Sequence, residues 1–293
     1  MMKTKIYNRN FLSSLRNRRD ITVTQHNLNY ENESHKFLRI VSKKIRPDDK
    51  VVLISAGMHG EELAGPITLQ KYLNCILDYI HARNFRVIIY PNMNPSGFEM
   101  GVRYNPEGER GEVGIDPNDF MRYVLKDGTV TSDLKDSNRF RKWRWSSDSK
   151  FDVILPPETK LLHCLLKRDP LRQVVAAIDL HQDFITFNAS PAAYQYLYDD
   201  SRVYAEILQK IEAIVPLMSN TYIDAGYLNG GLRSDAYGSL IRYDGTLSDL
   251  MQRMGVRYTV TVETTGATPL DKACEVNLAW IKGITDLIYK DSN

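Results

Sequence analysis

The chain has 293 residues, 43% hydrophobic and 25% charged, with a net charge of +2. That length can bury one large core, and the composition is ordinary for a globular domain. A balance so close to neutral gives no overall electrostatic reason to expect nucleic acid or a membrane as partner.

The opening stretch, Met1–Asp20, is basic but lacks the apolar segment of about 7–15 residues that a secretory signal carries. No apolar run approaches the roughly 18 residues of a membrane span, so a cytoplasmic protein is expected. Val51–Ala56 (VVLISA) is a continuous apolar run, as in a strand buried on both faces. Leu63, Ile67, Leu73, Ile76, Leu77 and Ile80 recur at helical spacing and predict a helix over 62–82. Phe85–Pro95 then predicts a second buried strand, which completes a βαβ unit of a helix-covered parallel or mixed sheet. From Asn92 to about Pro156 the periodicity fades and a long loop region, functional or disordered, is expected. Pro157–Arg168 predicts a helix with Pro and Glu in its first turn. Val174–Asp183 is another apolar strand that runs into a histidine. A helix over 203–215, a strand over Val256–Glu263 and an amphipathic helix over 270–290 close the chain. Cys75, Cys164 and Cys274 are odd in number and far apart, so they are expected to be reduced core thiols. One domain over 1–293 is the economical organisation, with 1–49 as an N-terminal extension packed on it.

Three predicted strands end in polar residues: ISAGMHGEE, AAIDLHQD and TVTVETTG. In open α/β sheets ligands sit beyond the carboxyl ends of the strands, so these ends can converge on one site. They bring His59, Glu61, Glu62, His181, Asp183 and Glu263. Two imidazoles and a carboxylate, with a fourth position open to water, make a catalytic zinc site. The three-residue offset in His59-x-x-Glu62 puts both side chains on one face of a helical turn, which leaves Glu61 off that face. Gly57 and Gly60 give the backbone freedom and access. Glu263 is then placed to act as general base.

At this point the residues resemble a known family, the zinc metallocarboxypeptidases typified by carboxypeptidase A. That family includes bacterial murein-peptide amidases and the aspartoacylase and succinylglutamate desuccinylase branch. The resemblance rests on HGEE at 59–62, NPSGFEMGVRYN at 94–105, GIDPNDF at 114–120, PPET at 156–159, DLH at 179–181 and VET at 262–264, and covers roughly 50–290. It implies an α/β fold, three-layer α/β/α with a central mixed, mostly parallel β-sheet. It also implies one Zn2+ held by His59, Glu62 and His181, with Glu263 as general base. Arg103 would polarise the scissile carbonyl, and Asp116 would support the first zinc histidine from behind.

The chain departs from the family pattern where an Asn-Arg pair grips the substrate carboxylate. It keeps Asn118 but places Asp119 where the Arg belongs, and an acid cannot replace a bidentate guanidinium. Arg139 in DSNRF, or Arg122, would have to supply that grip. Tyr243 is the best match for the family's mobile tyrosine, and Tyr237 the fallback. The expected activity is hydrolysis of a peptide amide bond. The alternatives are an N-acyl amino acid deacylase or a non-catalytic peptide-binding relative. The basic and aromatic stretch Arg139–Lys150 has the makings of a single-strand nucleic-acid contact but is expected to be a surface loop. Neither nucleic acid nor membrane is expected as partner, and the oligomeric state is left open.

Overall fold

The computed structural model describes residues 4–30, 32–105, 121–131, 140–145, 156–184, 190–223, 232–241 and 246–292. In chain order the elements are α1 (Thr4–Ser14), β1 (Ile21–Asn29), β2 (Ser34–Ser42), β3 (Val51–Ala56), α2 (Ala64–His81) and β4 (Arg86–Tyr90). Next come α3 (Pro95–Met100), β5 (Met121–Leu125), β6 (Val130–Thr131), β7 (Phe140–Trp145), α4 (Pro157–Leu166) and β8 (Val174–Leu180). The remainder are β9 (Ala193–Leu197), α5 (Ala205–Glu212), β10 (Tyr222–Ile223), β11 (Leu232–Arg233), β12 (Ser239–Leu240), α6 (Leu247–Arg253), β13 (Tyr258–Thr264) and α7 (Leu270–Lys290).

Among the described residues, eight strands form the central sheet in the order β1-β2-β4-β3-β8-β13-β9-β12. β4, β3, β8 and β13 run parallel, as do β9 and β12. The β1–β2, β2–β4 and β13–β9 pairings are antiparallel. The sheet is thus mixed and parallel through its centre. Strand alternation sorts side chains to two faces. One face carries Val52, Ile54, Ala56, Ile178, Leu180, Val260 and Val262, which pack with Tyr7, Leu69, Ile207 and Trp280 from α1, α2, α5 and α7. The other carries Val51, Leu53, Ile88 and Ala177 against Leu162, Leu165, Leu250 and Met251 of α4 and α6. These are the three layers.

On the second face the apolar alternation gives way to polar residues toward the carboxyl ends of the strands. Ser55 of β3, Asp179 of β8 and Thr261 of β13 stand in one row across the sheet. The β3–β8 register shifts between Val51 and Val52: Val51 pairs with Val174, but Val52 pairs with Ala176, so Val175 is an extra residue on β8. After the shift Ser55 faces Asp179, and the Ser55 hydroxyl donates to Asp179 Oδ1 at 2.7 Å.

Three expectations need correction. The region from Asn92 to Pro156 is not one loop, because it holds α3 and a separate sheet in the order β6-β5-β7. β7 takes in Phe140–Trp145, so the basic-aromatic stretch contains a strand; in the sequence, charges and tryptophans alternate over Lys142–Trp145. Cys274 is buried, but Cys75 and Cys164 are exposed. On α2 the buried positions are Leu73, Ile76 and Leu77, and position 75 falls on the opposite side of that stripe. Residues before 50 also contribute α1 and two strands of the main sheet, elements that the sequence left unassigned.

Candidate metal centre

β3 ends at Ala56, and Gly57 turns the chain with φ +67°, in the left-handed region. The peptide then makes a tight turn in which the Glu62 N–H donates to the His59 carbonyl. His59 and Glu62 share this turn, as their three-residue spacing suggested, and α2 begins two residues later. Gly60 sits so close to Gly97 that an added Cβ would lie 2.0 Å from the Gly97 carbonyl carbon. The Gly60 N–H donates to the Arg103 carbonyl at 3.1 Å. The Asn-Pro-x-Gly run explains the other side of that contact. Asn94 caps α3 by accepting from the Gly97 N–H at 2.9 Å, and its Nδ2 donates to the Arg103 carbonyl. Arg103 is therefore pinned beside the turn from both directions.

His181 follows β8 directly, and its N–H donates to Val262 on β13. His59, Glu62 and His181 are each 2–3% exposed, and one ligand atom from each lies within 4.8 Å of the others. His59 Nδ1 is 2.7 Å from Glu62 Oε1, His181 Nδ1 is 2.8 Å from Glu62 Oε2, and the two Nδ1 atoms are 3.3 Å apart. Glu62 also accepts from Arg103 Nη1 and from the Gln182 N–H, each at 3.2 Å. Glu263 is 8% exposed, with Oε1 4.0 Å from His181 Nδ1. Its Oε2 is buried and has no hydrogen-bond partner among the described residues.

Burial alone would push the Glu62 carboxyl up, but the His59 and His181 imidazoles outweigh it and hold Glu62 well below the usual carboxylate range. Burial opposes a charge on His181, yet Asp179 and Glu62 raise it well above an ordinary imidazole. Burial pushes the Glu263 carboxyl well up; Glu62 and Asp183 add to this against the pull of His181 and Arg103. Glu62 is thus held as the anion, while His181 and Glu263 are both biased towards their protonated forms.

The donor set fits zinc, which accepts imidazole and carboxylate ligands and leaves a fourth position open at catalytic centres. Two facing Nδ1 lone pairs at 3.3 Å call for a cation or proton between them. Asp179 adds to the fit, because its Oδ2 lies 3.1 Å from His181 Nε2. A carboxylate there keeps the proton on Nε2 and leaves Nδ1 free to bind metal. Sequence reasoning quoted the DLH motif but gave Asp179 no role. The signal was available, since residues i and i+2 of a strand share a face.

Arg103 meets the cluster through Glu62, and lies 3.8 Å from Glu61, which is outside the three-residue cluster. Asp183 accepts from the Tyr194 hydroxyl at 2.7 Å, and Tyr194 stands across from Glu263 in the antiparallel β13–β9 ladder. Asp116, Asn118, Arg139 and Tyr243 lie outside the described residues, as does the side chain of Arg122. Tyr237 is exposed, its main chain tied to Asp235 and Gln195, and no described interaction joins it to the cluster. No helix among the described residues is long and apolar enough to cross a membrane.

The sequence matches the zinc carboxypeptidase family over residues 9–272. No curated protein matches it significantly. Among solved structures, a candidate metallopeptidase from Shewanella amazonensis SB2B superposes with a TM-score of 0.67 at 20% identity, covering 97% of this chain and 91% of its own. Thrombin activatable fibrinolysis inhibitor gives 0.62 at 17% identity, with 99% and 74% covered. A metallo-carboxypeptidase from Burkholderia cenocepacia gives 0.60 at 13%, with 98% and 69% covered. At these identities the likeness is one of fold.

Proposed function

The chain belongs to the zinc carboxypeptidase family, and from that membership we propose that it hydrolyses an amide bond of a peptide, using one zinc ion held by His59, Glu62 and His181. The observation that carries this reading is the convergence of two Nδ1 atoms and a buried carboxylate on one point beside Glu263, whose Oε2 has no hydrogen-bond partner among the described residues. What zinc supplies when bound is a lowered pKa for water and polarisation of a carbonyl.

The protein's own groups do the rest. Glu263 takes a proton from the attacking water at its free Oε2 and delivers it to the leaving amine nitrogen. Arg103, steered by Glu62, donates to the carbonyl oxygen as negative charge develops there. Asp179 keeps His181 in the tautomer whose Nδ1 carries a lone pair. Asp116 behind His59, and Asn118, Arg139 and Tyr243 on the substrate, complete the proposal from the sequence.

The test is Glu263→Gln. It removes the base and nearly preserves shape, so the variant should bind zinc in wild-type stoichiometry and lose nearly all turnover of a peptide panel. Full activity in that variant would overturn the mechanism. Preferential hydrolysis of N-acyl amino acids over peptides would move the substrate class to the deacylases.

A further inference from the structure

Among the described residues the central sheet ends in two edge strands, and they differ. β12 is two residues long, a blunt edge. β1 is nine residues long, ITVTQHNLN, and among the described residues no strand pairs with its outer side. Long edge strands in monomers are usually protected by lysine, proline, a bulge or an inward charge. β1 has no Lys, Arg, Asp, Glu or Pro, and its pairing with β2 runs from Ile21–Ser42 to Asn29–Ser34 without a register shift.

The direction of each backbone group on β1 follows from the ladder. The Lys43 N–H donates to the Asp20 carbonyl, and the Tyr30 N–H donates to the Glu33 carbonyl. Both pairs extend the β1–β2 register, so even-numbered residues from 20 to 30 bond inward to β2. Ile21, Val23, Gln25, Asn27 and Asn29 therefore turn both N–H and C=O outward. These five positions are centred on Gln25.

We propose that β1 is a homodimerisation edge: two copies of the chain pair β1 to β1, antiparallel, about a two-fold axis through Gln25. That axis sets Ile21 opposite the partner's Asn29, Val23 opposite the partner's Asn27, and Gln25 opposite the partner's Gln25. All are outward-facing positions, so each finds both of its bonds. The flanks carry opposite charge. Arg16 and Arg19 precede β1, are exposed, and make no ion pair among the described residues. Glu33, exposed, lies just past the other end. Antiparallel pairing brings the basic flank of each chain to the acidic flank of the other, which favours a second copy over an arbitrary peptide. β1 runs parallel to β3, so the two metal centres lie at opposite ends of the continuous sheet and stay independent.

Sedimentation or light scattering on the purified chain at tens of micromolar tests this. Wild type should have the mass of a dimer. Gln25→Pro removes an outward donor and leaves the inward ladder intact, since edge strands accept proline there. It should be monomeric with an unchanged melting temperature extrapolated to low concentration. Arg19→Glu should weaken the dimer most at low salt, where the new repulsion is unscreened, and Arg19→Glu with Glu33→Arg should restore it. A monomeric wild type at every concentration, or a Gln25→Pro variant that remains a dimer, would overturn the proposal. A Gln25→Pro variant that misfolds leaves the charge-swap pair to decide: no rescue would overturn it.

Discussion

Asp179→Asn is expected to weaken zinc binding through the wrong tautomer of His181. Both residues are 2% exposed, so water does not replace what is lost. The Ser55 hydroxyl donates to Asp179 Oδ1, which in the variant holds the amide oxygen in that place. The amide NH2 is then left where Oδ2 stood, 3.1 Å from His181 Nε2. A donor there takes the Nε2 lone pair and puts the ring proton on Nδ1, the atom needed for metal. Removing such a carboxylate typically lowers metal affinity about 10–100-fold, or about 1.4–2.7 kcal/mol. Competition with a chelating dye at fixed pH reads this directly. The reasoning makes a second, less obvious demand. In Ser55→Ala with Asp179→Asn the amide is free to rotate its oxygen towards Nε2, so the double variant should bind zinc more tightly than Asp179→Asn alone. Affinity within twofold of wild type for Asp179→Asn, or no recovery in the double variant, would refute it.

The other expectations are quickly stated. Metal-free protein should lose stability as pH rises. His181 has a raised folded pKa, so its contribution is complete below about 6.5, its unfolded value, and is lost above. Glu263, also raised, is destabilising once the unfolded carboxyl ionises above about 4.3. Melting temperatures of chelated protein between about pH 5 and 8 check the sign, and zinc uptake near neutrality should release protons, measurable with a pH indicator. Gly60→Ala forces a Cβ against the Gly97 backbone and should cost at least about 3 kcal/mol in denaturant unfolding, with loss of zinc binding. Asp249→Ala would break a buried ion pair, in which Arg253 Nε donates to Asp249 at 2.8 Å with both side chains at most 2% exposed. Breaking such a buried pair is expected to cost about 3–5 kcal/mol in the same assay.

Much of the centre of the molecule was legible because β3, α2, β8, β13 and α7 are read by burial on fixed periods. Val51–Ala56 has no solvent face and admits only a central strand. His59, Glu62 and His181 could be picked out because each follows such a strand within a few residues. Beyond the reach of periodicity lay whatever depends on partners distant in sequence. β1 and β2 alternate weakly, as strands near a sheet edge do when each face is only partly covered. The strand β7 hides in a stretch whose charges suggest a loop. Asp179 shares a face with His181 by strand spacing alone, but the Ser55 hydroxyl that fixes its other oxygen came into view only once β3 and β8 were paired. Cys75 shows the same limit on a helix, where one step in phase separates core from solvent.

The extra residue at Val175 has a consequence for how this chain can vary. Val51–Ala56 and the opposing β8 residues can exchange one apolar side chain for another with modest effect. They cannot gain or lose a residue. Without the shift Ser55 would face Ile178, and the polar row beside the proposed zinc ligands would be broken. A deletion at the far end of the strand would thus silence the centre while leaving every one of its ligands in the sequence. Composition along these strands is tolerant, whereas their count is not.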